Sequence, residues 1–179
     1  FNNITILDEA ISNDVKVSFN YSRYVLDKKL NVVLEPQKNK DGSLKEYIIN
    51  PYQMVATNGR YYLICNNDKY DNVSHYRVDR ITNIKLLETK RKSIKKVKEL
   101  KDGLSLPKHM AEHVYMFGGE SISVSVRFKK PLVNEFIDWF GVEDIFFSNQ
   151  TEDEVTATVK VNRNAMLIWA LQYALHFKV

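Results

Sequence analysis

Ile4, Leu7 and Ile11 recur at helical spacing through residues 4–11, and Asn3 stands where a cap is needed, which predicts a short amphipathic helix at the start of the chain. From Lys16 the texture changes to short runs of β-branched and aromatic residues at 17–21, 31–35, 46–50, 61–65 and 75–78. Turn signals separate them: Asp41-Gly42-Ser43, Asn58-Gly59 and Asn66-Asn67-Asp68. Runs of this kind between such turns predict antiparallel hairpins. About five strands in this compass predict a small β-barrel.

A basic run at 90–101 follows, read as helical or flexible, and Pro107 then opens a predicted helix over 108–116 that Gly118-Gly119 ends. Beyond it the pattern predicts a strand at 121–128, a helix at 131–140, strands at 143–147 and 154–161, and a helix at 164–177. That β-α-β-β-α order is most of a ferredoxin-like arrangement, with the missing last strand expected near Lys178-Val179. Phe136, Trp139, Phe140, Met166, Trp169, Leu171 and Tyr173 are the expected core of this second unit. A surplus aromatic face there would support a homodimer. The expected division is a leading helix at 1–15, a barrel at 16–89, a basic linker and connecting helix at 90–118, and a C-terminal α+β unit at 119–179. There is no internal repeat.

Composition narrows the class. The 179 residues are 44% hydrophobic and 27% charged, with Gly 6 and Pro 4, which excludes collagen-like and low-complexity chains. No apolar run reaches the ~20 residues of a membrane span. One cysteine, Cys65, permits neither an internal disulfide nor a cysteine metal cage, and no basic-then-apolar leader opens the sequence, so a cytoplasmic home is expected. Without such a leader, the acceptor patterns at Asn3, Asn72 and Asn149 read as chance. The first residue is Phe1 rather than Met, which reads as a fragment whose N-terminal part is missing. The net charge of +4 is concentrated: residues 90–101 hold seven of the 26 basic residues and one of the 22 acidic ones. Such a run either contacts phosphates or forms a solvated linker.

Enzyme signatures are weak. His109-Met-Ala-Glu-His113 has the His-x-x-Glu-His spacing of inverted zinc peptidases, but no third ligand accompanies it and chance is the better account. Cys65, inside a strand pattern, reads as a buried small hydrophobe. Gly-x-Ser-x-Gly, phosphate-loop and dinucleotide glycine patterns are missing from the sequence, so neither an enzyme nor a cofactor is expected.

A family resemblance rests on ordered motifs. Gly59-Arg60-Tyr61-Tyr62-Leu63-Ile64-Cys65, followed at hairpin distance by His75-Tyr76-Arg77-Val78-Asp79-Arg80-Ile81, resembles the paired signature of WYL-domain proteins, with Tyr61 in place of the usual Trp. Asn50-Pro51-Tyr52 resembles the Pro-aromatic step before it, and the stretch from Val124 to Trp169 is similar to the C-terminal extension that follows such domains. Ser74 departs from the pattern, because the family often carries a third basic residue there.

The resemblance implies an Sm-like, SH3-like small barrel in a bacterial transcriptional regulator, downstream of a DNA-binding domain that would supply all contact with duplex DNA. A nucleotide or single-stranded nucleic acid would be the effector. On the residues themselves, Arg77 and Arg80 are the first candidates, since a guanidinium fork suits phosphate and keeps its charge. Strict strand alternation places them on opposite faces, so their convergence requires a bulge or a strand end between them. Tyr62 would stack on a base or pack in the core. His75 and Tyr76 would line a pocket, although Tyr76 also suits the barrel interior, and Tyr52 completes the candidate set. The competing reading is a ligand-free interaction and dimerisation scaffold.

Overall fold

The computed structural model describes residues 2–57 and 59–179. Phe1 and the Asn58 half of the expected Asn58-Gly59 turn lie outside the described residues. The chain is a mixed α/β protein of two compact units that divide between Asp102 and Gly103.

The first unit opens with helix α1 (Asn2–Ser12), which buries Leu7 and Ala10 and rests Ile4 and Ile11 against the same core, as the helical spacing demands. Strands β1 (Val15–Leu26), β2 (Val32–Pro36), β3 (Glu46–Thr57), β4 (Arg60–Asn66), β5 (Ser74–Arg77) and β6 (Ile81–Lys90) follow. They form one curled antiparallel sheet in the order β2-β1-β3-β4-β5, with β6 on β1. Val15, Val17 and Phe19 of β1 alternate into the core and meet Ile49, Leu63 and Val78. Strand β6 has no counterpart in the sequence reading. Its Leu86 and Glu88 sit among lysines and threonines, so it lacks the alternation that marks a half-buried strand. It forms because β1 offers a free edge, pairing Val17 with Leu86 and Tyr21 with Ile81.

The basic run is neither a helix nor a free linker. Lys90 ends β6, and two single 3-10 turns, Ile94–Lys96 and Lys98–Leu100, follow as a strap tied to the first unit. Val97 and Leu100 anchor it as buried residues. Lys92 N–H donates to Asn50 Oδ1 at 2.7 Å, Tyr52 Oη–H to the Lys92 carbonyl at 2.9 Å, and Lys98 N–H to the Asp71 carbonyl at 2.9 Å. Lys95, Lys96, Lys98 and Lys101 stay exposed.

In the second unit, α2 (Leu106–Glu112) precedes β7 (Ser121–Lys129), α3 (Val133–Phe140), β8 (Phe146–Ser148), β9 (Glu154–Asn162), α4 (Arg163–Gln172) and β10 (Phe177–Lys178). The sheet is antiparallel in the order β10-β7-β9-β8. Helix α2 stops four residues short of the expected Met116, because Tyr115 and Met116 take φ of 62° and 57°. Gly141, at φ 75°, closes α3, where a side chain would be strained. Asn162 caps α4 by accepting from Ala165 N–H at 3.0 Å. That helix ends at Gln172 rather than 177, since Phe177 turns into β10 and its ring joins Phe128, Phe136 and Trp169 in the core. Leu171 departs from expectation. It is 72% exposed, on the face opposite Ala165, Met166 and Trp169. No helix among the described residues is long and apolar enough to cross a membrane.

Candidate functional site

Between β5 and β6 the chain makes one 3-10 turn, Val78–Arg80. Val78 enters the core while Asp79 points outward. The turn supplies the strand end that convergence requires: both guanidiniums reach the same ring, Arg80 Cζ lying 5.1 Å and Arg77 Cζ 5.9 Å from the centroid of Tyr24. These distances are within cation–π range. Tyr24 lies near the end of β1 and is 46% exposed, so the cluster opens to solvent.

The two arginines differ in state. Arg77 holds Asp79 in a fork, Nε to Oδ1 at 3.0 Å and Nη2 to Oδ2 at 2.6 Å, and this pairing draws the Asp79 carboxyl below its ordinary pKa. Arg80 forms no ion pair among the described residues, and its Nε is buried without a hydrogen-bond acceptor. A buried donor without an acceptor carries a desolvation cost of about 1–3 kcal/mol, which an incoming anion would offset. Tyr21 joins the cluster to the core: its Oη accepts the Arg77 backbone N–H at 3.2 Å, and its ring meets Tyr76 edge-to-face at 4.9 Å. Burial raises the Tyr21 phenol pKa, while Arg77 and Arg80 oppose the rise.

Of the other sequence candidates, Tyr62 pairs with Arg77 across the β4–β5 ladder and is half-buried on the face they share. His75 pairs with Ile64 on that face, also half-buried. Tyr76 points the opposite way, packing its ring 5.3 Å from Phe19 and 5.6 Å from Tyr47 in the core, where burial pushes its phenol upward. Tyr52 lies in β3 and faces the strap, not the arginine turn. Its ring lies 5.2 Å from the Arg91 guanidinium and its pKa is pushed up to about 12 by burial. Sequence reasoning missed Tyr21 and Tyr24 as parts of the cluster, and it offered Asp79 as a partner of Arg80, whereas the structure pairs it with Arg77. Asp79 alone was legible, two residues from Arg77; Tyr24 gave no local signal, because its neighbours come from β5 and the turn.

Elsewhere, His109 and His113 are buried and stack at 4.1 Å, with His113 Nδ1 2.9 Å from the His109 carbonyl. Glu112 pairs with Lys160 at 3.6 Å. Among the described residues, no three His, Cys, Asp or Glu side chains are grouped to hold a metal. Cys65 is fully buried.

No curated protein matches the chain. Among solved structures it is similar to the proteasome accessory factor B/C (PafBC) of Arthrobacter aurescens, with 11% identity and a TM-score of 0.41 over 89% of this chain and 21% of that one. Residues 2–86, which carry α1, β1 to β5 and the arginine turn, match the family model of the WYL domain, and this part of the chain is a WYL domain.

Proposed function

We propose that the chain is the non-enzymatic, effector-sensing part of a bacterial transcriptional regulator, with a nucleotide-like or single-stranded nucleic-acid ligand at the Arg77–Arg80–Tyr24 cluster. One observation carries the reading: Arg80, in no ion pair among the described residues, holds a buried and unsatisfied Nε and sets its guanidinium against a solvent-exposed tyrosine. A fixed fork for phosphate beside a ring for stacking is what a phosphate-bearing base requires. In this reading the curled sheet is an Sm-like, SH3-like barrel. The β-α-β-β-α-β order and the strand order β10-β7-β9-β8 support a ferredoxin-like second unit. Signalling is a population shift: the ligand favours one arrangement of a DNA-binding domain outside this chain, and only a difference in affinity between arrangements can do so. The setting is cytoplasmic, and duplex DNA is met only through that other domain.

The test is a calorimetric titration with 5′-phosphorylated oligothymidylate and with mononucleotides, on the wild-type chain and on Arg77→Ala/Arg80→Ala. Binding that falls by at least about tenfold per arginine is expected. Equal affinity in the double variant refutes the site.

A ligand-free scaffold is the second reading. It draws on the exposed apolar face of α4, where Leu167 and Leu171 lie one turn apart. Concentration-dependent dimerisation without any oligonucleotide binding would favour it.

A further inference from the structure

Arg80 rides on a single turn whose backbone is fastened from an unexpected quarter. Asn3, in the first turn of α1, donates through Nδ2 to the Val78 carbonyl at 3.2 Å and to the Ile81 carbonyl at 2.8 Å. Those carbonyls belong to the first residue of the turn and to the residue that follows it. One amide nitrogen carries two hydrogens, and both are used here. The Val78 carbonyl also accepts the Ile81 N–H that closes the turn, so its two lone pairs are filled. Asn3 therefore fixes the position of the Arg80 backbone without touching its guanidinium. A half-open cavity of about 270 Å³ lies beside this clamp, lined by Asn3, Ile4, Arg60, Tyr61 and Asp79 among others. A ligand that extends from the arginines into it would press on the same contact.

We propose that Asn3 is a positioning residue of the arginine site, holding the Val78–Arg80 turn to helix α1 so that occupation of the site and the setting of α1 are coupled. The proposal rests on the ligand-binding reading for its second half only. The sequence hid it, because Asn3 reads locally as a helix cap.

The substitution that isolates the donor is Asn3→Asp. It keeps shape and places a carboxylate in the first turn of a helix, where the helix dipole favours negative charge, so α1 itself is not weakened. It removes both donated hydrogen bonds. On the 179-residue chain, hydrogen–deuterium exchange of the Ile81 amide should accelerate about tenfold in Asn3→Asp and in Asn3→Ala, while the amides of Ile49 and Leu63 in the core strands keep their wild-type rates. Affinity for 5′-phosphorylated oligothymidylate should fall about threefold to tenfold, by loss of a fixed Arg80. An unchanged Ile81 rate overturns the proposal. So does equal acceleration at Ile49 and Leu63, which would make Asn3 a general stabiliser, and so does a loosened turn with unchanged affinity. If the wild-type chain fails to bind the oligonucleotide, the ligand reading falls, and the Ile81 rate alone then decides whether Asn3 holds the turn.

Discussion

Arg77 grips Asp79 two residues along the chain, with both of its contacting nitrogens spent on one carboxylate at 3.0 and 2.6 Å. In this state Arg77 is neutralised and Arg80 is the charge on offer. Asp79→Asn should free Arg77 and remove a negative charge from the mouth of the site. An exposed pair of this kind is worth about 0.2–1 kcal/mol, so affinity for a phosphorylated oligonucleotide should rise by up to about fivefold at low salt. Fluorescence anisotropy would read it. A fall in affinity would show instead that Asp79 aims the Arg77 fork at the ligand.

The same pair predicts a pH dependence. The folded-state pKa of Asp79 is lowered, chiefly by its hydrogen bonds from Arg77, so its contribution to stability is present above the unfolded carboxylate value of about 3.8 and is lost as pH falls through the lower folded value. Acid unfolding of wild type and Asp79→Asn should therefore converge below that range. The effect is small, because the Asp79 side chain is 47% exposed. Parallel curves down to the lowest pH would contradict it.

At alkaline pH the sign reverses. Tyr21, Tyr52 and Tyr76 have phenol pKa values raised by burial, Tyr52 to about 12 from 10.0. The unfolded chain loses those protons near pH 10 and the folded chain holds them longer, so stability is full below about 10 and declines as pH rises toward the folded values. Tyr52→Phe should flatten that decline. It should also cost about 0.5–1.5 kcal/mol at neutral pH, through the lost hydrogen bond to the Lys92 carbonyl. Urea unfolding across pH 7 to 11 measures both.

How far could the residues be read without coordinates? The hairpins, α1 and the order of the second unit followed from local chemistry: alternation in β1, turn residues at Asp41-Gly42-Ser43, helical spacing at Ile4, Leu7 and Ile11. Arg77 and Arg80 were legible as a motif. Their shared ring was not, because Tyr24 is far from them in sequence. Strand β6 was invisible for a related reason, since its pairing with β1 comes from an available edge rather than from its own pattern. The strap misled through charge. Its lysines suggested a free segment, while the two residues that anchor it, Val97 and Leu100, are single apolar positions within a basic run.

That strap separates two kinds of lysine chemistry. Lys92 is held through its backbone by Asn50 and Tyr52, whereas Lys95, Lys96, Lys98 and Lys101 project from turns fixed beneath them. Changing those four to Gln removes charge without removing an anchor, so the unfolding free energy should stay within about 0.5 kcal/mol of wild type. If the strap contacts phosphates, the slope of log affinity against log salt should fall by about 0.7 for each lysine that pairs with a single strand. Leu100→Ala is the opposite case. It should cost about 2–5 kcal/mol as a buried large-to-small change and release the strap, seen as faster exchange of the Lys98 amide that donates to Asp71. An unchanged salt slope in the four-Gln variant, with Leu100→Ala still destabilising, would assign the strap to holding the first unit together and leave nucleic-acid contact to the arginine cluster alone.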